Sequence, residues 1–279
     1  MTYIEFKAQK LEKLKTVTDN ASFELETIIL WASGMKKNEL LLNRANEIPA
    51  EVLSKLTDAV NRRLEHEPLQ YIIGEWEFFG LRMFCGKGCL IPRPETEMLA
   101  EIAIKNLPRG GKLLDLCTGS GCIPVAVLNN RPDVTAIAVD ISGTALEFAK
   151  KNAAYHNISL ERLKFIKADI YDFVPNEFPD VITSNPPYIK SDDMMTLSPE
   201  VKHEPSIALD GGYDGLEFYK LIAKYYAKKY LSKGGCCAVE VGFDISEEVA
   251  AIFRSQKFNS TLMRDIFEVE RVCLARKLD

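Results

Sequence analysis

A chain of 279 residues has room for one large domain and a small one, and its 47% hydrophobic and 27% charged residues are ordinary for a globular protein. The net charge of −5 argues against the basic footprint usual in nucleic-acid enzymes, and no apolar run approaches the roughly 20 residues that a bilayer-spanning helix needs. Met1 to Lys7 has neither the basic start nor the apolar centre of a secretory signal, so a cytoplasmic location is expected. Seven cysteines without a Cys-x-x-Cys pair are expected to be reduced thiols, mostly small apolar packers. The three histidines, at positions 66, 156 and 203, show no ligand spacing, and no metal site is expected.

Residues 23–31 and 49–64 carry apolar side chains at three and four spacing, with Pro49 suited to a helix start and Pro68 to a stop. Leu40, Leu41 and Leu42 add core candidates, so residues 1–74 read as a small helical bundle, too small for catalysis and well placed to present a partner surface. Lys36, Lys37, Arg44, Arg62 and Arg63 read as a solvated helix face, with a local basic patch as the alternative. Residues 78–84, followed by Gly86-Lys87-Gly88, read as a strand and turn, a hairpin joining the two parts. From Pro94 onward strands and helices alternate, as in a parallel, doubly wound α/β sheet. After Gly234-Gly235, residues 236–241, 260–264 and 269–275 read as a strand and a reversed hairpin at one sheet edge.

Within this frame Leu113-Leu114-Asp115-Leu116-Cys117-Thr118-Gly119-Ser120-Gly121 runs from a strand through a loop of small residues into the apolar stretch 123–128. That is the strand, glycine turn and helix order of a nucleotide-binding unit, where glycines admit a ligand close to the backbone. Cys117 stands at the first expected glycine, which argues against a positive φ there. A second strand ends in Asp140, about 20 residues past the glycines, the spacing at which a carboxylate meets ribose hydroxyls. A third strand, 163–169, places Asp169 and Ile170 where an adenine is gripped at its amino edge and packed on its face. Either acid also suits a helix N-cap.

The fourth strand end is Asn185-Pro186-Pro187-Tyr188. Asn185 offers a side-chain oxygen and Pro186 a carbonyl, two acceptors that match the two hydrogens of one NH2 group. The prolines stiffen the loop and carry no N–H, and Tyr188 adds an aromatic wall. A rigid turn closing a strand fits the same residues. Arg93 and Glu97 read either as part of a lid near the cofactor or as a helix-start ion pair.

Together these motifs resemble the class I S-adenosylmethionine-dependent methyltransferases, with residues 115–121 as the methionine-end loop and 185–188 as the amino-methylating motif. Within that class most of the chain is similar to the PrmC/HemK family of N5-glutamine methyltransferases of peptide chain release factors. The similarity includes residues 66–74, Ile91-Pro92-Arg93-Pro94-Glu95-Thr96-Glu97, Glu204-Pro205, Ala208-Leu209-Asp210-Gly211-Gly212, Asp214-Gly215-Leu216 and Arg271-Val272. Cys117 departs from a frequent glycine of the family, and Glu268 stands where a glycine is usual before Arg271, which bears on the C-terminal turn.

The resemblance implies an α-helical docking domain at 1–74, a hairpin linker at 75–92 and a Rossmann-like methyltransferase domain at 93–279, whose mostly parallel seven-stranded sheet ends in a reversed hairpin. It implies S-adenosyl-L-methionine as cofactor, held by Cys117, Thr118, Gly119, Ser120, Gly121, Asp140, Asp169, Ile170 and Asn185. Asn185, Pro186, Pro187 and Tyr188 are then the substrate-binding residues, and Asn185, Pro186 and Tyr188 the catalytic ones. The expected reaction is methyl transfer to the glutamine amide of the Gly-Gly-Gln motif in class I release factors, by a monomer that binds neither membrane nor nucleic acid directly. A ribosomal-protein glutamine or an adenine amino group is the alternative acceptor. No residue presents itself as a general base.

Overall fold

The computed structural model describes residues 1–277, which divide into two compact units, Met1–Glu75 with Ser198–His203, and Trp76–Leu197 with the chain from Glu204 onward. The first unit is helical: α1 (Tyr3–Leu14), α2 (Ala21–Ser33), α3 (Lys37–Asn43), α4 (Ala50–Leu64) and α5 (Leu69–Ile73). Thr2 and Glu5 form a capping box at the start of α1, each side chain taking the other's backbone N–H. Gly34, at φ 69°, ends α2 in the left-handed conformation that costs glycine least. Phe6, Leu14, Leu25, Ile28, Ile29, Leu56 and Val60 are fully buried where α1, α2 and α4 meet.

Three sequence expectations change in this unit. Leu41 and Leu42 are exposed, because α3 is short and buries none of its residues. Pro68 does not stop α4, which ends at Leu64; it precedes α5 as its N-cap. Arg63 is no solvated charge: it is 1% exposed and donates from Nε and Nη2 to Glu24 at 2.6 and 3.2 Å, with Glu200 as a second partner. Nor do its neighbours make a free basic patch, since Arg62 pairs with Glu67 and Lys37 with Glu26.

The second unit opens on the hairpin of β1 (Glu75–Phe78) and β2 (Leu81–Phe84). Its turn lies at Phe79-Gly80, both with positive φ, rather than at the expected Gly86-Lys87-Gly88. A 3-10 turn (Pro94–Thr96) leads into α6 (Glu97–Asn106), followed by β3 (Lys112–Leu116), α7 (Cys122–Asn130), β4 (Thr135–Asp140), α8 (Gly143–Tyr155), β5 (Leu163–Lys167) and β6 (Val181–Ser184). After a long connection come α9 (Glu217–Leu221), a π-helical turn (Ile222–Ala227), α10 (Lys228–Tyr230), β7 (Cys236–Glu240), α11 (Ser246–Ser255), β8 (Phe258–Arg264) and β9 (Glu270–Lys277).

The sheet order is β5-β4-β3-β6-β7-β9-β8, parallel from β5 to β7 and antiparallel at β9 and β8. This is the expected doubly wound sheet with its reversed hairpin. Both faces are covered: Leu113 of β3 packs with α6 and α7, while Leu114 and Leu116 pack with the aromatic residues Tyr219 and Tyr226 and with α11. Strand order reverses between β3 and β6, the place where open α/β sheets form a ligand crevice at their carboxyl ends.

The β8–β9 turn forms despite the missing glycine. Glu268 takes φ 60°, and the Asp265 carboxylate closes the loop by accepting from the Phe267 and Val269 backbone and from Arg271 Nε. Glu24→Ala leaves the Arg63 guanidinium buried with one carboxylate fewer, and is expected to lower stability by about 3 kcal/mol in chemical denaturation; Glu24→Asp retains part of it.

Candidate active site

The carboxyl ends of β3, β4, β5 and β6 bound a crevice of about 300 Å³ within the second unit. It is lined by Cys117, Thr118, Gly119 and Ser120 after β3, by Asp140 and Ile141 after β4, by Asp169, Ile170 and Tyr171 after β5, and by Asn185 and Pro187 after β6.

The loop after β3 is anchored from below by Asp115. This carboxylate is fully buried and accepts at 2.6 Å from Thr118 Oγ1 on one oxygen and at 2.6 Å from Thr183 Oγ1 on the other. Burial pushes its carboxyl up to about 7, against the pull of the two hydroxyls. Cys117, Gly119 and Gly121 all have positive φ, so the inference that cysteine excluded this conformation at 117 was incorrect. The fixed neighbours Leu116 and Thr118 over-determine the backbone, at a cost of about 1–3 kcal/mol for a non-glycine residue. Gly121 must stay small for another reason: a Cβ there would stand 2.9 Å from that of Ala149 on α8.

Asp140 reaches back across the loop. Its Oδ2 accepts from Gly119 N and its Oδ1 from Ser142 N, both at 2.8 Å. Burial raises its carboxyl above the usual range, partly offset by these backbone donors. It is not the cap of α8, a role taken by the Ser142 hydroxyl on Ala145 N. Each Asp140 oxygen retains a lone pair, so the group is able to accept from a vicinal diol. Asp169 accepts from Tyr171 N at 2.9 Å, and the buried Ile170 supplies an apolar wall beside it. Carboxylate, glycine loop and apolar wall in one crevice suit a nucleoside carrying an amino-acid tail.

At the end of β6 the three polar residues each have a separate anchor. Thr183 holds Asp115, Ser184 Oγ donates to Leu116 O at 2.8 Å, and Asn185 Nδ2 donates to Thr96 Oγ1 at 3.1 Å. Pro186 is buried and does not line the crevice. Tyr188 is half-buried and packs on the aromatic core cluster instead of lining the crevice, and burial raises its phenol.

Arg93 lines the crevice, but its ion-pair partner is the buried Glu204, whose other oxygen accepts from Ile91 N at 3.0 Å. Glu97 instead accepts from Phe79 N at 2.8 Å, so the two do not form the helix-start pair considered from sequence.

Several residues that matter here carried no mechanism in the sequence. Gly211 and Gly215 lie so close to the Pro187–Tyr188 backbone that a Cβ would come within 2.6 Å of Tyr188 Cα and 2.5 Å of Tyr188 O, respectively. Thr96 and Glu240 are buried and hydrogen-bonded to each other at 2.5 Å, 144 residues apart in the chain. Gly211, Gly215 and Thr96 were marked only as members of family motifs; nothing local marks Glu240.

The strand order and a match of residues 94–201 to the methyltransferase small domain define the protein as a Rossmann-like methyltransferase. A methyltransferase from Pyrococcus furiosus shares the fold, with a TM-score of 0.54 and 19% identity, over 71% of this chain and 89% of its own. Residues 8–74 match the PrmC N-terminal domain. A release factor glutamine methyltransferase of Thermodesulfovibrio yellowstonii is 37% identical over 96% of this chain and 98% of its own length. One from Aquifex aeolicus is 33% identical over 98% of each. The chain belongs to the release factor glutamine methyltransferase family.

Asp140→Ala is expected to weaken S-adenosylmethionine binding about 10- to 100-fold by calorimetry, the scale of a lost charged hydrogen bond. Gly211→Ala forces the Tyr188 backbone to move and is expected to cost about 1–3 kcal/mol in thermal or chemical unfolding.

Proposed function

We propose that this protein transfers the methyl group of S-adenosylmethionine to the side-chain amide nitrogen of the glutamine in the Gly-Gly-Gln motif of class I peptide chain release factors. The observation that carries the reading is the placement of the Asn185 amide on the wall of a crevice that also holds Asp140 and the glycine loop. The family's names for its members supply the substrate.

The bound cofactor supplies an electrophilic methyl group, so the work of the protein is to bind, align and exclude water. Asp140 would accept from the ribose hydroxyls, Asp169 and Ile170 would hold the adenine, and residues 117–121 the amino-acid end. An amide nitrogen is a poor nucleophile because its lone pair is delocalised into the carbonyl. Asn185 Oδ1 would accept from the amide N–H and direct the nitrogen; the second acceptor expected of Pro186 would be available only through its carbonyl, since its ring does not line the crevice. Positioning of this kind contributes up to about 7–11 kcal/mol to lowering a barrier. Pro187 lines the crevice beside them, and Arg93, tied to Glu204, serves as a side wall. Tyr188 supports the loop from the core side in this reading. The proton leaves to water.

A protein acceptor suits the acidic balance of the chain better than a nucleic acid does. The exposed Phe23, Leu41 and Leu42 give the helical unit an apolar surface for the release factor. No helix among the described residues is long and apolar enough to cross a membrane. A monomer acting in the cytoplasm, where release factors work, completes the proposal.

Labelled S-adenosylmethionine incubated with a purified class I release factor should label the wild-type factor and leave a Gly-Gly-Gln Gln-to-Ala variant unlabelled. Asn185→Ala should reduce transfer by about 100-fold or more with cofactor affinity within a few fold of wild type. Label on both factors would move the acceptor elsewhere on the protein, and label on neither, with cofactor bound, would redirect the search to ribosomal proteins and then adenine.

A further inference from the structure

The two ends of an asparagine amide are nearly the same size, yet they present opposite chemistry: one accepts two hydrogen bonds and the other donates two. If the role given to Asn185 under Proposed function holds, the oxygen must face the substrate, since a glutamine NH2 meeting a second NH2 would be repelled. What selects the orientation lies outside the motif itself. Asn185 Nδ2 donates to Thr96 Oγ1 at 3.1 Å, and Thr96 Oγ1 donates to Glu240 Oε2 at 2.5 Å. Thr96 is 3% exposed and Glu240 4%. Among the described residues nothing in the protein donates to Asn185 Oδ1.

A hydroxyl has one proton. An ionised carboxylate has none and only accepts, so the Thr96 proton is committed to Glu240. Toward Asn185, Thr96 then has only lone pairs to offer, and the amide must turn its NH2 to Thr96 and its oxygen to the crevice. We infer that Thr96 and Glu240 are positioning residues that form a one-way hydrogen-bond relay, holding Asn185 in the acceptor orientation that amide methylation requires. The relay joins the start of α6, the end of β6 and the end of β7. It also gives a reason for a buried carboxylate that touches no ligand, a group costly to keep in an apolar interior. The backbone carbonyl of Glu240 accepts from Tyr219 Oη at 2.8 Å, which fixes the strand end carrying it.

The relay has a polarity that protonation reverses. Burial pushes the Glu240 carboxyl up to about 7; the Thr96 hydrogen bond opposes this, Glu95 adds to it, and Arg93 and Arg271 oppose it. The neutral phenols of Tyr188 and Tyr219 and the Cys122 thiol also interact with it. A protonated Glu240 is itself a donor to Thr96, which frees the Thr96 proton for Asn185 and permits the wrong amide orientation. Turnover at saturating cofactor should therefore fall as pH drops through about 7, so that the limb shows in kcat separately from any change in cofactor affinity that Asp115 and Asp140 bring about.

The test compares wild type, Thr96→Ser, Thr96→Val and Glu240→Gln for kcat on a release factor and for S-adenosylmethionine affinity across the neutral pH range. Thr96→Val, isosteric but without a hydroxyl, should lower kcat about 10- to 100-fold with cofactor affinity within about threefold, and Thr96→Ser should restore most of the loss. The acid limb of kcat should flatten in Glu240→Gln, whose amide oxygen accepts from Thr96 without titrating. Equal losses in the serine and valine variants, no loss in either, or an acid limb unchanged in Glu240→Gln would overturn the relay. Side-chain NH2 exchange at Asn185, followed by nuclear magnetic resonance, needs no turnover: slow exchange in wild type that Thr96→Val does not alter would overturn the relay independently. Absence of transfer by wild type, with slow exchange that Thr96→Val abolishes, would instead overturn the substrate reading and leave the relay standing.

Discussion

The carboxylate of Asp115 is the joint on which the site depends. It lies opposite Thr183 in the parallel register of β3 and β6, the two strands that flank the reversal of strand order. One oxygen holds the loop after β3 through Thr118, and the other holds the end of β6 through Thr183. The half of the crevice suited to a cofactor and the half suited to its methyl acceptor are thereby fixed to a single buried group. Such a group is tolerated inside a protein only when its acceptors are filled, so the joint is stiff and leaves little room for the two halves to drift apart.

Around that joint, backbone geometry has been specified by close packing more than by residue choice. Cys117 and Glu268 both adopt the left-handed conformation that a glycine would take at lower cost. In each case a carboxylate, Asp115 or Asp265, holds the adjacent backbone or side chains. Gly211 and Gly215 show the opposite situation. Their φ preference matters less than the absence of a Cβ, because the segment carrying them is threaded against the backbone of Pro187 and Tyr188. Ile189 N to Leu209 O and Gly211 N to Ile189 O tie the two segments as a short parallel bridge.

Besides Asp115, buried charge recurs among the described residues in three further arrangements. Arg63 with Glu24 and Glu200 stabilises the helical unit, Glu204 with Arg93 and Ile91 N fixes the wall before α6, and Glu240 with Thr96 orients an amide. In the first two a cation compensates the acid. In the third a hydroxyl does, which leaves the carboxyl raised and titratable near neutrality.

Periodicity and turn chemistry made much of this legible beforehand. The alternation from Pro94 onward, the glycine loop, the strand-end acids Asp140 and Asp169 and the Asn185-Pro186-Pro187-Tyr188 turn are local patterns, and a local pattern determines the order of strands and the residues standing at their ends. Reading further failed where neighbours in space are remote in sequence. Leu41 and Leu42 look like core residues because hydropathy does not reveal that α3 buries none of its side chains. Arg63 looks solvated because nothing near it foretells Glu24, 39 residues away. Thr96, 89 residues from Asn185 and 144 from Glu240, stands out only as part of the family segment 91–97, with no role of its own. The sequence by itself determined which residues stand at the strand ends around the crevice, although Pro186 and Tyr188 stand there without lining it. Only the tertiary structure decided how they are oriented, because the direction of a hydrogen bond depends on which donor and acceptor the sheet register and helix packing bring within 3 Å of each other.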